Sequence, residues 1–148
     1  MSSITPFLWF DSAAEEAARF YVSLFPESRI VYVSPGPGGA AMVVGFEIGG
    51  QRLTALNGGP TYKLTEAFSL MVNCSDQADI DRLWRALCEG GKPGVCGWLI
   101  DRFGLSWQIN YEGLPKLLSG PNGGKVMTAM RSMGKMDVER LTAIATSG

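Results

Sequence analysis

The order of strand and helix signals occurs twice along the chain, and this repetition limits the fold more than any single motif. Residues 4–10, ITPFLWF, are aromatic and β-prone and predict a strand. Asp11 and Ser12 end it, and Ser12 with Glu15 three residues on forms a capping-box pattern for a helix. Ala13, Ala17, Phe20, Tyr21 and Leu24 share one face of that helix, which Pro26 stops. Strands are expected at 28–34, 40–49 and 51–57, with PGPGG at 35–39 as a loop and Gly49-Gly50 as a turn. The pattern restarts after GGPTYKLTE, 58–66. FSLMVNC, 68–74, is a strand, and Ser75 and Asp76 cap a helix whose face is Ile80, Leu83, Trp84, Leu87 and Cys88. Gly90-Gly91 ends that helix, and Lys92-Pro93-Gly94 leaves room for one very short strand. CGWLIDRFGLSWQINY, 96–111, then reads as a hairpin turning near Gly104.

The expected class is therefore α+β, as one domain over 1–148. Two βαβββ modules, 4–57 and a shortened 68–111, form a curled, cup-like mixed sheet. A helical extension, 112–148, follows. It holds Leu114, Leu117 and Leu118, then a helix near 122–134 with Val126, Met130 and Met133 in one stripe and Met127 beside them. Asp137 caps a terminal helix containing Val138, Leu141, Ile144 and Ala145. The four methionines of 126–136 read as core filler or a dimer seam rather than as a flexible binding surface.

Composition removes several classes of function. With 46% hydrophobic and 18% charged residues, the chain can fill a core. Net charge is -1 and no block of Lys or Arg occurs, which argues against nucleic acid as a partner. No apolar run approaches the ~18 residues needed to span a bilayer, and the N-terminus lacks a signal-peptide pattern. The three cysteines, Cys74, Cys88 and Cys96, form no CxxC pair and read as buried, reduced thiols of a cytoplasmic protein. There is no histidine. That removes Ser-His and Cys-His nucleophiles and the usual nitrogen ligand of zinc, nickel and iron.

Two such modules each cover one sheet face with a helix and leave the other face bare. The bare faces are expected to enclose a cup lined by alternate strand residues. Phe7 and Trp9 share one face of the first strand and Leu8 and Phe10 the other. The second pair suits a helix, so Phe7 and Trp9 are read as inward. Asn57, Asn73, Trp98 and Gln108 add polar and stacking contacts. Trp107 neighbours Gln108 and so faces the helix layer. Among carboxylates, Glu47 alternates outward and reads as solvated, Asp101 reads as a turn residue bonded to local backbone, and no catalytic pair including Glu112 can be placed.

The stretches ITPFLWFDSAAEEAARFYVSLFP, LTALNGGP, VNC, CGWLIDRFGLSWQI and VMTAMRSMGKMD together resemble the PhnB-like proteins. The likeness runs over 4–145. These proteins belong to the vicinal-oxygen-chelate superfamily, with glyoxalase and bleomycin-resistance proteins, and carry the label of a demethylubiquinone methyltransferase domain. The resemblance implies paired βαβββ units and a homodimer. Metal-dependent relatives place ligands at four strand positions. These fall near Thr5 or Pro6, on the 51–57 strand with no carboxylate, near Ser69, and at Gln108. Only Gln108 has a ligating side chain, so no metal or other cofactor is expected. The methyltransferase label finds no physical support, because no glycine-rich turn links a strand to its following helix in a parallel βαβ unit. The function expected is a metal-free, small-molecule-binding protein of the glyoxalase and bleomycin-resistance type. The alternatives are a superfamily enzyme of unknown reaction (lyase, isomerase or dioxygenase type) and a dimeric scaffold without ligand.

Overall fold

In the computed structural model, which describes all 148 residues, the chain divides into two units, Met1–Leu64 and Thr65–Gly148. The first contains β1 (Phe7–Phe10), α1 (Ala14–Leu24), β2 (Arg29–Pro35), a 3-10 turn at Pro37–Gly39, β3 (Ala41–Ile48) and β4 (Gln51–Asn57). Its four strands form one sheet in the order β1-β4-β3-β2. β1 runs parallel to β4, and the other pairs are antiparallel. Gly49 and Gly50 both have positive φ, the backbone that a two-residue hairpin between β3 and β4 requires.

Helix α1 packs on β2, β3 and β4. Ala14, Ala17 and Ala18 are fully buried, so the helix lies close to the sheet, and Tyr21 fills the space beyond them. On the sheet side the same layer holds Leu8, Phe10, Val44, Phe46, Leu53 and Ala55, all buried. Phe7, by contrast, is 57% exposed. The helix thus covers the Leu8 and Phe10 face, and Phe7 and Trp9 lie on the opposite one, as expected.

The start of α1 differs from the sequence expectation. The helix begins one residue later than the Ser12 box requires, with Ala13 at the N-cap and no side-chain cap of its own. A residue 43 positions away takes the role: Asn57 Oδ1 accepts the Ala14 N–H at 2.8 Å. The other end of that amide donates to the Ala41 carbonyl at 2.9 Å. One side chain therefore joins β4 to the helix start and to the start of β3.

The second unit repeats the plan with β5 (Ser69–Cys74), α2 (Gln77–Cys88), β6 (Lys92–Pro93), β7 (Trp98–Ile100) and β8 (Ser106–Tyr111). Strand order is β5-β8-β7-β6, with β5 parallel to β8. Here the helix cap is local, since the Asp76 carboxylate accepts the Asp79 N–H at 2.8 Å. Ile80, Leu83 and Leu87 of α2 are buried, as are Leu99, Trp107 and Ile109 of the sheet. Trp84 and Cys88 are only half-buried, because they sit at the margins of that helical face. β6 is short for a local reason: Pro93 has no N–H to give a ladder, and Gly91 and Gly94 abut the β7 backbone with no room for a Cβ.

Three helices close the unit: α3 (Leu114–Ser119), α4 (Gly123–Ser132) and α5 (Val138–Thr146). Asp137 caps α5 as expected, accepting the Arg140 N–H at 3.0 Å. Met130, Met133 and Met136 are buried, which gives the core-filler reading of these residues. Gln77 ties this extension to α2. Its amide donates to the Met136 carbonyl at 2.9 Å and accepts the Val138 N–H at 2.8 Å. The Lys135 ammonium lies 2.8 Å from the Asp81 carboxylate.

Two predictions follow from these anchors. Asn57→Ala is expected to lower stability by about 0.5–2 kcal/mol, the range for a lost helix cap, while Ser12→Ala is close to neutral. Urea denaturation of the two variants checks this. The hydrogen bond from Lys135, and then that from Gln77, hold the Asp81 carboxyl below its usual 3.8. A depressed folded-state value contributes stability above the unfolded value, and that contribution is lost as pH falls through the folded one. The protection factor of the Val138 amide, its exchange rate relative to the unstructured rate at the same pH, should therefore fall as pH drops through the Asp81 titration, and Asp81→Asn should remove that dependence.

Candidate functional site

The uncovered face of the second sheet carries a polar cluster with an aromatic neighbour. Side chains alternate along strands, so Ser69, Met71 and Asn73 of β5 share a face with Ser106, Gln108 and Asn110 of β8. Trp98 lies opposite Gln108 and Ile100 opposite Ser106 on β7, on that same face. Gln108 Nε2 donates to Ser69 Oγ at 3.0 Å, and Asn110 Nδ2 donates to Asn73 Oδ1 at 3.1 Å. The Ser106 hydroxyl is buried without a hydrogen-bond partner. A cavity of about 250 Å³ lies against Trp98, Ile100 and Lys92. Of the residues proposed from sequence, Asn73, Trp98 and Gln108 are thus brought onto one surface. Trp107 faces the helix layer and is buried. Ser106 carries no sequence signal of its own, although its place two residues before Gln108 assigns it to this face.

In the first unit, Phe7 and Trp9 share their face with Thr54 and Leu56. Trp9 is occupied by its own chain. Its indole Nε1 donates to the Gly59 carbonyl at 3.0 Å, and Tyr62 meets the ring edge-on with centroids 5.0 Å apart. Gly58 lies so close to the Trp9 ring that a Cβ there would run into it. The loop NGGPTY is in effect a strap over the tryptophan. Asn57 belongs to the other face, with Leu53 and Ala55, and its amide is spent on Ala14 and Ala41. It does not join Phe7 and Trp9.

The remaining candidate chemistry is structural. Asp101 is 3% exposed. Its Oδ1 accepts the Phe103 and Leu105 N–H groups at 2.8 and 3.1 Å, as a turn residue should. Its Oδ2 accepts the Trp107 indole N–H at 2.9 Å, a contact that spacing alone does not reveal. Glu47 is not merely solvated: Arg29 on β2 and Arg52 on β4 stand opposite it in register, and each lies 3.2 Å away. Of the three free thiols only Cys74 is buried, and Cys88 and Cys96 are half-buried, which corrects the expectation of three buried ones. Burial first, and the Asp79 carboxylate next, push the Cys74 thiol up to about 12, so it stays protonated at neutral pH. Burial also raises Cys88.

A metal ion, which the superfamily resemblance brings to mind, fits this chain's donors poorly. On the second sheet the two aligned positions are the hydroxyl of Ser69 and the amide of Gln108, and they bond to one another. Catalytic divalent ions usually take about three protein donors, among them imidazole or carboxylate.

The model of the 3-demethylubiquinone-9 3-methyltransferase family matches residues 2–110. The chain belongs to that family. Among solved structures it is similar to the PhnB protein of Bacillus cereus, with 31% identity over 74% of this chain and 99% of that one and a TM-score of 0.70. A protein of Pseudomonas aeruginosa is 24% identical over 76% of this chain and 98% of its own, with a TM-score of 0.62, and shares the fold. So does a glyoxalase-related enzyme from Fulvimarina pelagi, at 13% identity over 77% of this chain and 91% of its own, with a TM-score of 0.51. The PhnB-like resemblance therefore holds. A short match to neuropilin-1a of Danio rerio, 34% identical over 76 residues, covers 45% of this chain and only 8% of that protein. The family match ends before α3, so the three last helices lie outside it.

The Asp101 arrangement yields a test. Asp101→Asn must set an amide N–H₂ against either the backbone N–H groups or the Trp107 indole. The expected loss is about 1–3 kcal/mol, the cost of leaving a buried donor unsatisfied. Thermal unfolding followed by near-ultraviolet circular dichroism measures both stability and the Trp107 environment.

Proposed function

We propose that the protein binds a small, flat or aromatic molecule on the open face of its second sheet, without a metal ion held by its own side chains. One observation carries the reading: Asn73, Trp98 and Gln108 share one face beside a cavity of about 250 Å³. The indole of Trp98 lines the cavity and can stack on a ligand, and the amides of Asn73 and Gln108 and the unpartnered Ser106 hydroxyl lie on the same sheet face beside it. Phe7 offers an apolar contact on the first unit's own open face, while Trp9 serves chiefly as the seat of its loop. The family's methyltransferase label is not carried over. Neither sheet is a doubly wound parallel one, and the β1–α1 turn, FDSA, contains no glycine.

Tryptophan fluorescence against a panel of metabolites and antibiotics tests the proposal. A binding compound should quench emission in the parent chain and lose most of that effect in Trp98→Phe. Gln108→Leu should weaken the same compound about five- to tenfold, the worth of one hydrogen bond to a polar group. Quenching by no compound favours a scaffold without ligand. A stoichiometric divalent ion retained through purification favours a superfamily enzyme instead. No helix is long and apolar enough to cross a membrane. The proposed setting is a cytoplasmic homodimer without nucleic acid, and sedimentation velocity checks the dimer.

A further inference from the structure

We propose that the cavity beside Trp98 receives a small zwitterion, a molecule of about amino-acid size with one cationic and one anionic group. The inference rests on the reading of this sheet face as the binding surface and narrows it to a ligand class.

The cavity measures about 250 Å³ and is lined by Glu66, Lys92, Pro93, Trp98, Ile100 and their immediate neighbours. Lys92 stands opposite Ile100 in the β6–β7 ladder, so its side chain shares the face of Ile100 and Trp98. Glu66 lines the same space from the segment before β5. The ion pairs of the chain lie elsewhere, and neither Lys92 nor Glu66 takes part in one. Two opposite charges border one small space without neutralising each other.

That arrangement discriminates by charge. A simple anion meets Lys92 but is repelled by Glu66, and a simple cation meets the reverse. A neutral molecule gains from neither. A zwitterion satisfies both, provided its charges are separated as the two side chains are. Both side chains are solvent-exposed, so water and salt screen each attraction, and low ionic strength is the condition that reveals it. Pro93, Trp98 and Ile100 supply an apolar wall for the rest of the ligand, and the indole face adds attraction for a cationic group. The volume lies just under the roughly 300–1,000 Å³ of most ligand pockets, which restricts the ligand to a small one.

Calorimetric titration of the full chain with four phenyl-bearing probes tests this. They are phenylalanine, phenethylamine, 3-phenylpropionate and 2-phenylethanol, at neutral pH and low salt. Phenylalanine should bind at least about tenfold more tightly than any of the others. Lys92→Gln should weaken phenylalanine and 3-phenylpropionate about five- to tenfold and tighten phenethylamine, from which it removes a repelling charge. Glu66→Gln should do the converse. Both variants are on exposed side chains and keep the fold, which circular dichroism verifies. Equal binding of all four probes, or affinities indifferent to both variants, overturns charge selection while leaving the sheet face as a binding surface. Binding of none overturns the zwitterion assignment, and the fluorescence panel with Trp98→Phe decides the broader reading separately.

Discussion

Each unit is organised by the parallel pairing of its first and last strands. In the first, Phe7 to Phe10 run beside Thr54 to Asn57, and in the second, Ser69 to Cys74 run beside Ser106 to Tyr111. A parallel pair cannot be joined by a tight turn, so the chain must leave through a helix and return through the remaining strands. That helix can cover only one side of four strands. The other side is left bare by topology, before any side chain is chosen. In the first unit the bare side holds a tryptophan already strapped by its own loop. In the second it holds amides, hydroxyls and an indole with adjoining space. The functional reading follows from that difference.

The strand-to-helix junction has been solved twice in one chain. In the second unit Asp76 caps the helix from three residues away. In the first, the cap comes from the far end of β4 through Asn57. The long-range solution binds the sheet's last strand to the helix's first turn, so neither can shift in register without breaking the cap. This explains why NGGP follows β4 as a block. Asn57 reaches the helix, Gly58 admits the Trp9 ring, and Gly59, with φ of 84°, turns the chain so that its carbonyl meets the indole N–H.

Elements with strong periodicity were legible from residues alone. Both modules, the hairpin around Gly104, the Asp76 and Asp137 caps and the helix-facing side of β1 all follow from alternation, helical spacing and local cap chemistry. What escaped was non-local. The Ser12 box is a sound local pattern, but a competing amide 43 residues away supplies the cap instead. Glu47 acquired Arg29 and Arg52 only when three strands lined up. Asn57 could have been excluded from the Phe7 face by counting from Leu53 and Ala55, both clearly apolar. Its amide suggests a ligand contact against that parity. Asn73, Trp98 and Gln108 were legible as a group because their strands are regular, whereas Ser106 and Lys92 look ordinary until ladder partners are known.

The placement of Trp98 has a further consequence. The two residues before it hang from the appended helices: the Cys96 N–H bonds the Met133 carbonyl at 2.7 Å, and the Gly97 N–H bonds the Gly134 carbonyl at 2.9 Å. Gly97 in turn receives the Ile109 N–H on its own carbonyl at 2.8 Å, which ties this loop to β8. The indole's orientation is thus set jointly by a sheet common to the family and by a tail outside the family match. A change confined to Met133 and Gly134 would therefore re-aim Trp98 with no substitution on the strands themselves.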